Sequence, residues 1–184
     1  MDDNPGVNIF ILNTGRCGSV TFIEACRHIA NFSAGHETRI RLIGPQRLAY
    51  PERHIEADNR LSWLLGRLDQ AYGDAAYYVH LSRERAAAAD SFARRERFGI
   101  MKAYREGILL DGEAGQTAHD IACDYLDSIE ANIALFLKDK RNQMAFSLEN
   151  AKDDFAAFWR WIGAEGDLAA ALATWDRRYN ASTE

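Results

Sequence analysis

The sequence predicts an α/β fold, a parallel sheet with helices on both faces, and three observations carry that expectation. Short apolar runs of strand length alternate with segments in which apolar residues return every three or four positions. A glycine-bearing turn joins the first such run to the first helical segment. No Pro-, Gly- or Ser-rich linker, internal repeat or low-complexity tract divides the 184 residues, a length that suits one domain with its own core. Residues 1–184 are therefore expected to form a single domain. Strand, helix, strand, helix is the order that crossover-connected parallel strands require.

Residues 7–13 are a nearly continuous apolar run, as expected of a strand buried on both faces. Thr14-Gly15-Arg16-Cys17-Gly18 breaks it, and its two glycines permit a tight backbone path. From Ser19 the period changes: Phe22, Cys26 and Ile29 share a helical stripe, with Glu24, Arg27 and His28 off it. A second unit follows Tyr50-Pro51, with a strand over 53–57 and a helix carrying Leu61, Leu64, Leu65 and Leu68, capped by Asp58 or Asn59. Gly73-Asp74 ends that helix. Residues 76–81 are the next buried strand, and an alanine-rich helix is predicted over 84–97. The stretch 98–116 has the glycines and mixed polarity of a loop or lid. Ile121, Tyr125, Ile129, Ile133 and Phe136 form one stripe of a long helix. A last strand is expected over 144–148, with closing helices over 153–162 and 168–179.

Composition excludes several function classes. A net charge of −5 argues against general nucleic-acid binding, which needs a basic field, although one small anion needs only a few local cations. The three cysteines are widely spaced with no CxxC pair, so neither a disulfide framework nor a zinc site is expected, and a reducing cytoplasm suits them. The apolar run 7–12 is too short for a signal-peptide core or a membrane span. A soluble, cytoplasmic protein without metal, membrane or nucleic-acid partner is the expectation.

The turn after the first strand is the main chemical signal. A strand that ends in a glycine loop and enters a helix aims several backbone N–H groups at one point, where the helix dipole adds positive character. Gly15, Arg16, Cys17, Gly18, Ser19, Val20 and Thr21 make up this candidate anion cradle. Arg16 adds a full charge and a bidentate fork. Ser19 and Thr21 add hydroxyls. It is not a Walker A loop, because Gly18 is followed by Ser19 with no lysine between, and it lacks the G-x-G-x-x-G of dinucleotide sites. A second candidate lies at the end of the strand 76–81, where Arg83 precedes Ser91 by eight positions. An arginine at a strand end and a serine on the next helix converge on one phosphate if the ligand lies along that helix.

Together these features resemble the sulfotransferase family, and the resemblance spans about the whole chain. Arg16-Cys17-Gly18-Ser19 is similar to the family's basic-x-Gly-Ser/Thr turn, which binds a 5′-phosphosulfate. Arg83 and Ser91 match its 3′-phosphate pair in residue type and spacing. Phe146-Ser147-Leu148-Glu149-Asn150 and the segment 155–163 resemble the family's last strand and helix. The resemblance implies a P-loop-like sulfotransferase fold, 3′-phosphoadenosine 5′-phosphosulfate (PAPS) as co-substrate, no metal, and a hydroxyl acceptor: peptide tyrosine, carbohydrate or small metabolite. Val20 stands where many members carry a second hydroxyl, a role Thr21 is placed to fill. The Arg-Lys-Gly segment that holds the nucleotide in cytosolic members is missing, and Arg177 and Arg178 are basic but unassigned. Trp63 and Trp159 are the candidates for stacking on adenine, although buried core residues are the expectation for both.

Gly35-His36-Glu37-Thr38-Arg39 resembles the Glu-Glu-Thr-Arg segment that supplies the catalytic glutamate and a neighbouring arginine in tyrosylprotein sulfotransferases. Glu37 is accordingly the favoured general base, a role it fills if burial raises its pKa towards the working pH; a solvated loop carboxylate is the other reading. Arg39 is then the residue expected to orient the acceptor or to stabilise the transferring group. His36, intrinsically closer to neutrality, is the second candidate base. A third is the stripe His54, Glu56 and Asp58 on one side of its strand, expected to be a solvated face, with Glu56 as a further acceptor contact. Cys17 is read as a spacer in the turn. Competing readings are a P-loop nucleotide kinase or NTPase, for which a Walker lysine is lacking, and a non-catalytic nucleotide-binding module of the same fold.

Overall fold

The computed structural model describes residues 6–176. Five parallel strands form one sheet: β1 (Ile9–Leu12), β2 (Ser33–His36), β3 (His54–Ala57), β4 (Tyr77–Ser82) and β5 (Gln143–Ser147), in the order β2-β3-β1-β4-β5. All four residues of β1 are buried, and alternation sends Ile9 and Ile11 to one face and Phe10 and Leu12 to the other. Helices α2 (Leu65–Tyr72), α3 (Arg85–Ala93) and α5 (Ala118–Leu137) cover the Phe10 face with Leu68, Phe92, Tyr125, Ile129 and Ile133. Helices α1 (Ser19–Cys26), α6 (Ala151–Trp161) and α7 (Leu168–Ala173) cover the Ile9 face with Phe22, Phe155 and Phe158. The expected architecture, a parallel sheet with helices on both faces, is the one observed. Among the described residues no helix is long and apolar enough to cross a membrane.

Several elements differ from the sequence-based expectation. The strand β2, Ser33-Ala34-Gly35-His36, has no apolar run to announce it and forms by pairing with β3 at the sheet edge. Gly35 permits this, since a Cβ there would come within 2.3 Å of Thr38 Cγ2 and 3.0 Å of Glu56 Oε2. The helix predicted through Leu61–Leu68 is split into a tight turn, Asn59–Trp63, and α2. Asp58, not Asn59, is the cap: its carboxylate accepts the Arg60 N–H at 2.8 Å.

The alanine-rich helix stops at Ala93, and Glu84 caps it through the N–H groups of Ala86 and Ala87. The expected loop or lid contains α4 (Gly99–Ala103) and a wide π-type turn, Tyr104–Ile108. The last predicted helix is α7 followed by a short turn, Thr174–Asp176. Its remaining residues, with Arg177 and Arg178, lie outside the described region.

Candidate functional site

The strand order reverses direction at β1: the chain passes to β2 and β3 on one side, then to β4 and β5 on the other. Ligand crevices of open α/β sheets lie at such a switch point, beyond the carboxyl ends of the strands. The residues that follow β1, β2, β3 and β4 meet there.

The turn after β1 is built as the glycines require. Gly15, Arg16 and Gly18 have φ of 93°, 58° and 88°. A Cβ on Gly15 would meet Asn59 Nδ2 at 2.8 Å, and one on Gly18 would meet Leu148 Cδ1 at 2.6 Å. Arg16 holds a left-handed conformation that costs a non-glycine residue on the order of 1 kcal/mol. Gly18 is the N-cap of α1, with no side-chain cap and no acid in the first turn, so the helix end keeps its positive character.

The root of the turn is pinned. Asn13 Oδ1 accepts the Gly15 N–H at 2.9 Å, Ser62 donates to the Asn13 carbonyl at 3.1 Å, and Tyr125 donates to the Thr14 carbonyl at 2.6 Å.

The two candidate cradles meet. Arg16 Nε donates to Ser91 Oγ at 2.9 Å, and Arg83 Nη1 donates to the Arg16 carbonyl at 3.1 Å. Burial, and after it the positive charges of Arg95, Arg83 and Arg94, lower the pKa of Arg16. Four arginines thus concentrate around one turn in a chain of net charge −5. Arg94 and Arg95 escaped the sequence reading. The available signal was their spacing, three and four residues beyond Ser91, one turn along the same chain.

Cys17 is 1% exposed, and burial pushes its thiol up to about 12 despite the nearby N–H groups of Gly15, Cys17 and Ser19. It is a packing residue. Iodoacetamide at about pH 8 is therefore expected to label the partly exposed Cys123 in the folded protein and to spare Cys17 until denaturant is added. Mass spectrometry of the labelled peptides checks this; early labelling of Cys17 would contradict it. Thr21, the expected replacement for a hydroxyl at Val20, is itself buried, whereas Val20 is partly open.

Beyond β2, Ser19 Oγ and His36 Nε2 lie 3.0 Å apart, which ties the second candidate base to the anion turn. Glu37 has a left-handed φ of 53° and its N–H donates to the Ala57 carbonyl. Its carboxylate is neither buried nor fully solvated. It is 29% exposed and meets Arg60 Nη1 at 3.0 Å, a partner no sequence motif marked.

Arg39, expected beside the acceptor, instead donates to the Gln46 carbonyl at 3.0 Å and lies over the Tyr50 ring. The reason is local: the chain folds back through 39–50 and brings these acceptors within reach.

The stripe on β3 is not a solvated face. β3 lies between β2 and β1, so His54, Glu56 and Asp58 are 7%, 0% and 0% exposed. Glu56, expected as an acceptor contact, has both oxygens engaged: Thr38 donates its N–H and hydroxyl, each at 2.7 Å, and His54 Nε2 lies at 2.9 Å. It anchors Thr38, the residue after Glu37, and so helps to hold Glu37 in its strained conformation. Asp58 is paired with the buried Arg47. Trp159 is a core residue at 7% exposure, but Trp63 is 37% exposed, against the expectation of burial. Among the described residues no group of three or more His, Cys, Asp and Glu is arranged to hold a metal ion.

No family model and no curated protein matches the chain. Solved structures do. The sulfotransferase domain from the curacin biosynthetic pathway is 13% identical with a TM-score of 0.63, over 98% of this chain and 81% of that one. Mouse sulfotransferase SULT7A1 complexed with PAP is 14% identical with a TM-score of 0.56, over 92% of this chain and 65% of that one. The chain therefore spans just under two thirds of the length of the mouse protein. At these identities the likeness is one of backbone: this chain has the P-loop-like α/β fold of the sulfotransferases.

Proposed function

We propose that residues 1–184 form one sulfotransferase-like domain that moves a sulfuryl group from PAPS to a hydroxyl acceptor. The supporting observation is the meeting of Arg16, Ser91 and Arg83 at the uncapped N-terminus of α1, on a fold shared with a sulfotransferase complexed with PAP. In this reading the amides of residues 15–21 and Arg16 hold the phosphosulfate, and Arg83 and Ser91 hold the 3′-phosphate, with Arg94 and Arg95 adding to the field. Glu37 takes the proton of the acceptor hydroxyl as its oxygen bonds to sulfur. Arg16 and the turn amides neutralise the charge that builds on the departing phosphate. His36, beside Ser19, is the second candidate base. The free thiols of Cys17, Cys26 and Cys123 support a reducing, cytoplasmic setting.

Calorimetry tests the donor. PAP is expected to bind more tightly than ADP, and equal or absent binding would overturn the reading. Turnover of phenol, sugar and peptide acceptors tests the base. Glu37→Gln is expected to lower kcat by about 100-fold to 10,000-fold with PAP affinity unchanged. A loss confined to His36→Asn would transfer the role to His36. PAP binding with no sulfated product from any acceptor would mark a binding module instead.

A further inference from the structure

We infer that the tight turn Asn59–Trp63 recognises the acceptor, and that the open face of Trp63 carries a planar aromatic ring of a neutral aryl hydroxyl compound. This rests on the sulfotransferase reading and specifies its substrate class. The turn is built onto the anion cradle: Ser62 donates to the Asn13 carbonyl at 3.1 Å and Asn59 Nδ2 to the Thr14 carbonyl at 3.4 Å. Arg60 and Trp63 therefore lie on a turn that is held against the residues opening the anion cradle.

Arg60 pairs with Glu37 at 3.0 Å. The two charges offset each other, so this pair contributes no net charge that would select an ionised substrate. What the turn offers is aromatic surface.

Trp63 has 37% of its surface open, whereas the core tryptophan Trp159 has 7%. Its ring is supported from behind and from the side. The Tyr125 ring lies 6.4 Å away at 29°, and the Tyr104 ring 6.1 Å away at 56°. Both supports are anchored, Tyr125 by its hydroxyl on the Thr14 carbonyl and Tyr104 by its hydroxyl on Asp124 at 2.5 Å. A buttressed indole that stays partly exposed is a surface on which a second ring regains buried area at little entropic cost.

Adenine is the other planar ring in the proposed complex. Trp63 shares its turn with Arg60, the partner of the base, and not with α3, which carries Ser91. That assigns the indole to the acceptor.

The test is calorimetry of 2-naphthol and, separately, of PAP with the wild type, Trp63→Leu and Trp63→Phe, with thermal melts confirming that each is folded. Trp63→Leu keeps apolar bulk and removes the ring. It is expected to weaken 2-naphthol about tenfold while leaving PAP affinity within about twofold, with Trp63→Phe between it and the wild type. Unchanged 2-naphthol affinity in Trp63→Leu overturns the inference. Loss of PAP affinity with 2-naphthol retained also overturns it, because the indole then serves adenine. If PAP fails to bind the wild type, the donor reading falls, and 2-naphthol titrated without PAP still decides the role of Trp63.

Discussion

Arg16→Ala is expected to weaken PAP binding by about tenfold to 150-fold. The affinity range is that of one charge-assisted hydrogen bond, worth about 1.5–3 kcal/mol. Its guanidinium is partly desolvated and stands in the field of Arg95, Arg83 and Arg94, a setting that suits it to an anion.

Arg16→Gly separates the effects further. It also relieves the left-handed backbone, and it should be about 0.5–1 kcal/mol more stable than Arg16→Ala with the same loss of affinity. Thermal melts with calorimetry check both variants. A strongly destabilised Arg16→Ala that still binds PAP normally would make Arg16 a structural residue.

Asp58→Ala is expected to lose about 3–5 kcal/mol of folding stability, read by urea denaturation. Asp58 is fully buried and Arg47 is 4% exposed, so the truncation leaves a guanidinium in the core without its counter-charge. Tyr50, whose hydroxyl accepts from Arg47 Nη1 at 3.2 Å, supplies no compensating charge. The Arg60 N–H loses its acceptor as well, which loosens the turn that presents Arg60 and Trp63. The double variant Arg47→Met with Asp58→Leu should recover most of the loss, because an apolar pair needs no partner. A cost below about 1 kcal/mol for Asp58→Ala would mean that Arg47 reaches solvent once released.

Much of the architecture was legible because it is written in local patterns. The run at 7–13 is apolar at nearly every position, and its strand is buried on both faces, at the centre of the sheet. The stripe from Ile121 to Ile133 has helical period, and α5 buries that stripe against the sheet. β2 was not legible. Ser33-Ala34-Gly35-His36 has neither period, and only the presence of β3 beside it, with the missing Cβ at Gly35, makes a strand of it.

The candidate site divides in the same way. Arg16, Ser91 and Arg83 were found in the sequence through spacing, and the fold brings them into contact. Arg60 lies unmarked in what reads as an ordinary helix, and Trp63, a candidate for stacking on adenine, reads as a buried residue, because the importance of both lies in what stands opposite.

By itself the sequence determined the alternation of strands and helices and the glycine turn around Arg16, since periodicity and left-handed backbone positions are properties of neighbouring residues. Tertiary structure alone decided that Glu56 and Asp58 are buried, that Glu37 faces Arg60 and that Trp63 is open. Those outcomes depend on β3 lying between β2 and β1, and so on contacts between segments far apart in the chain.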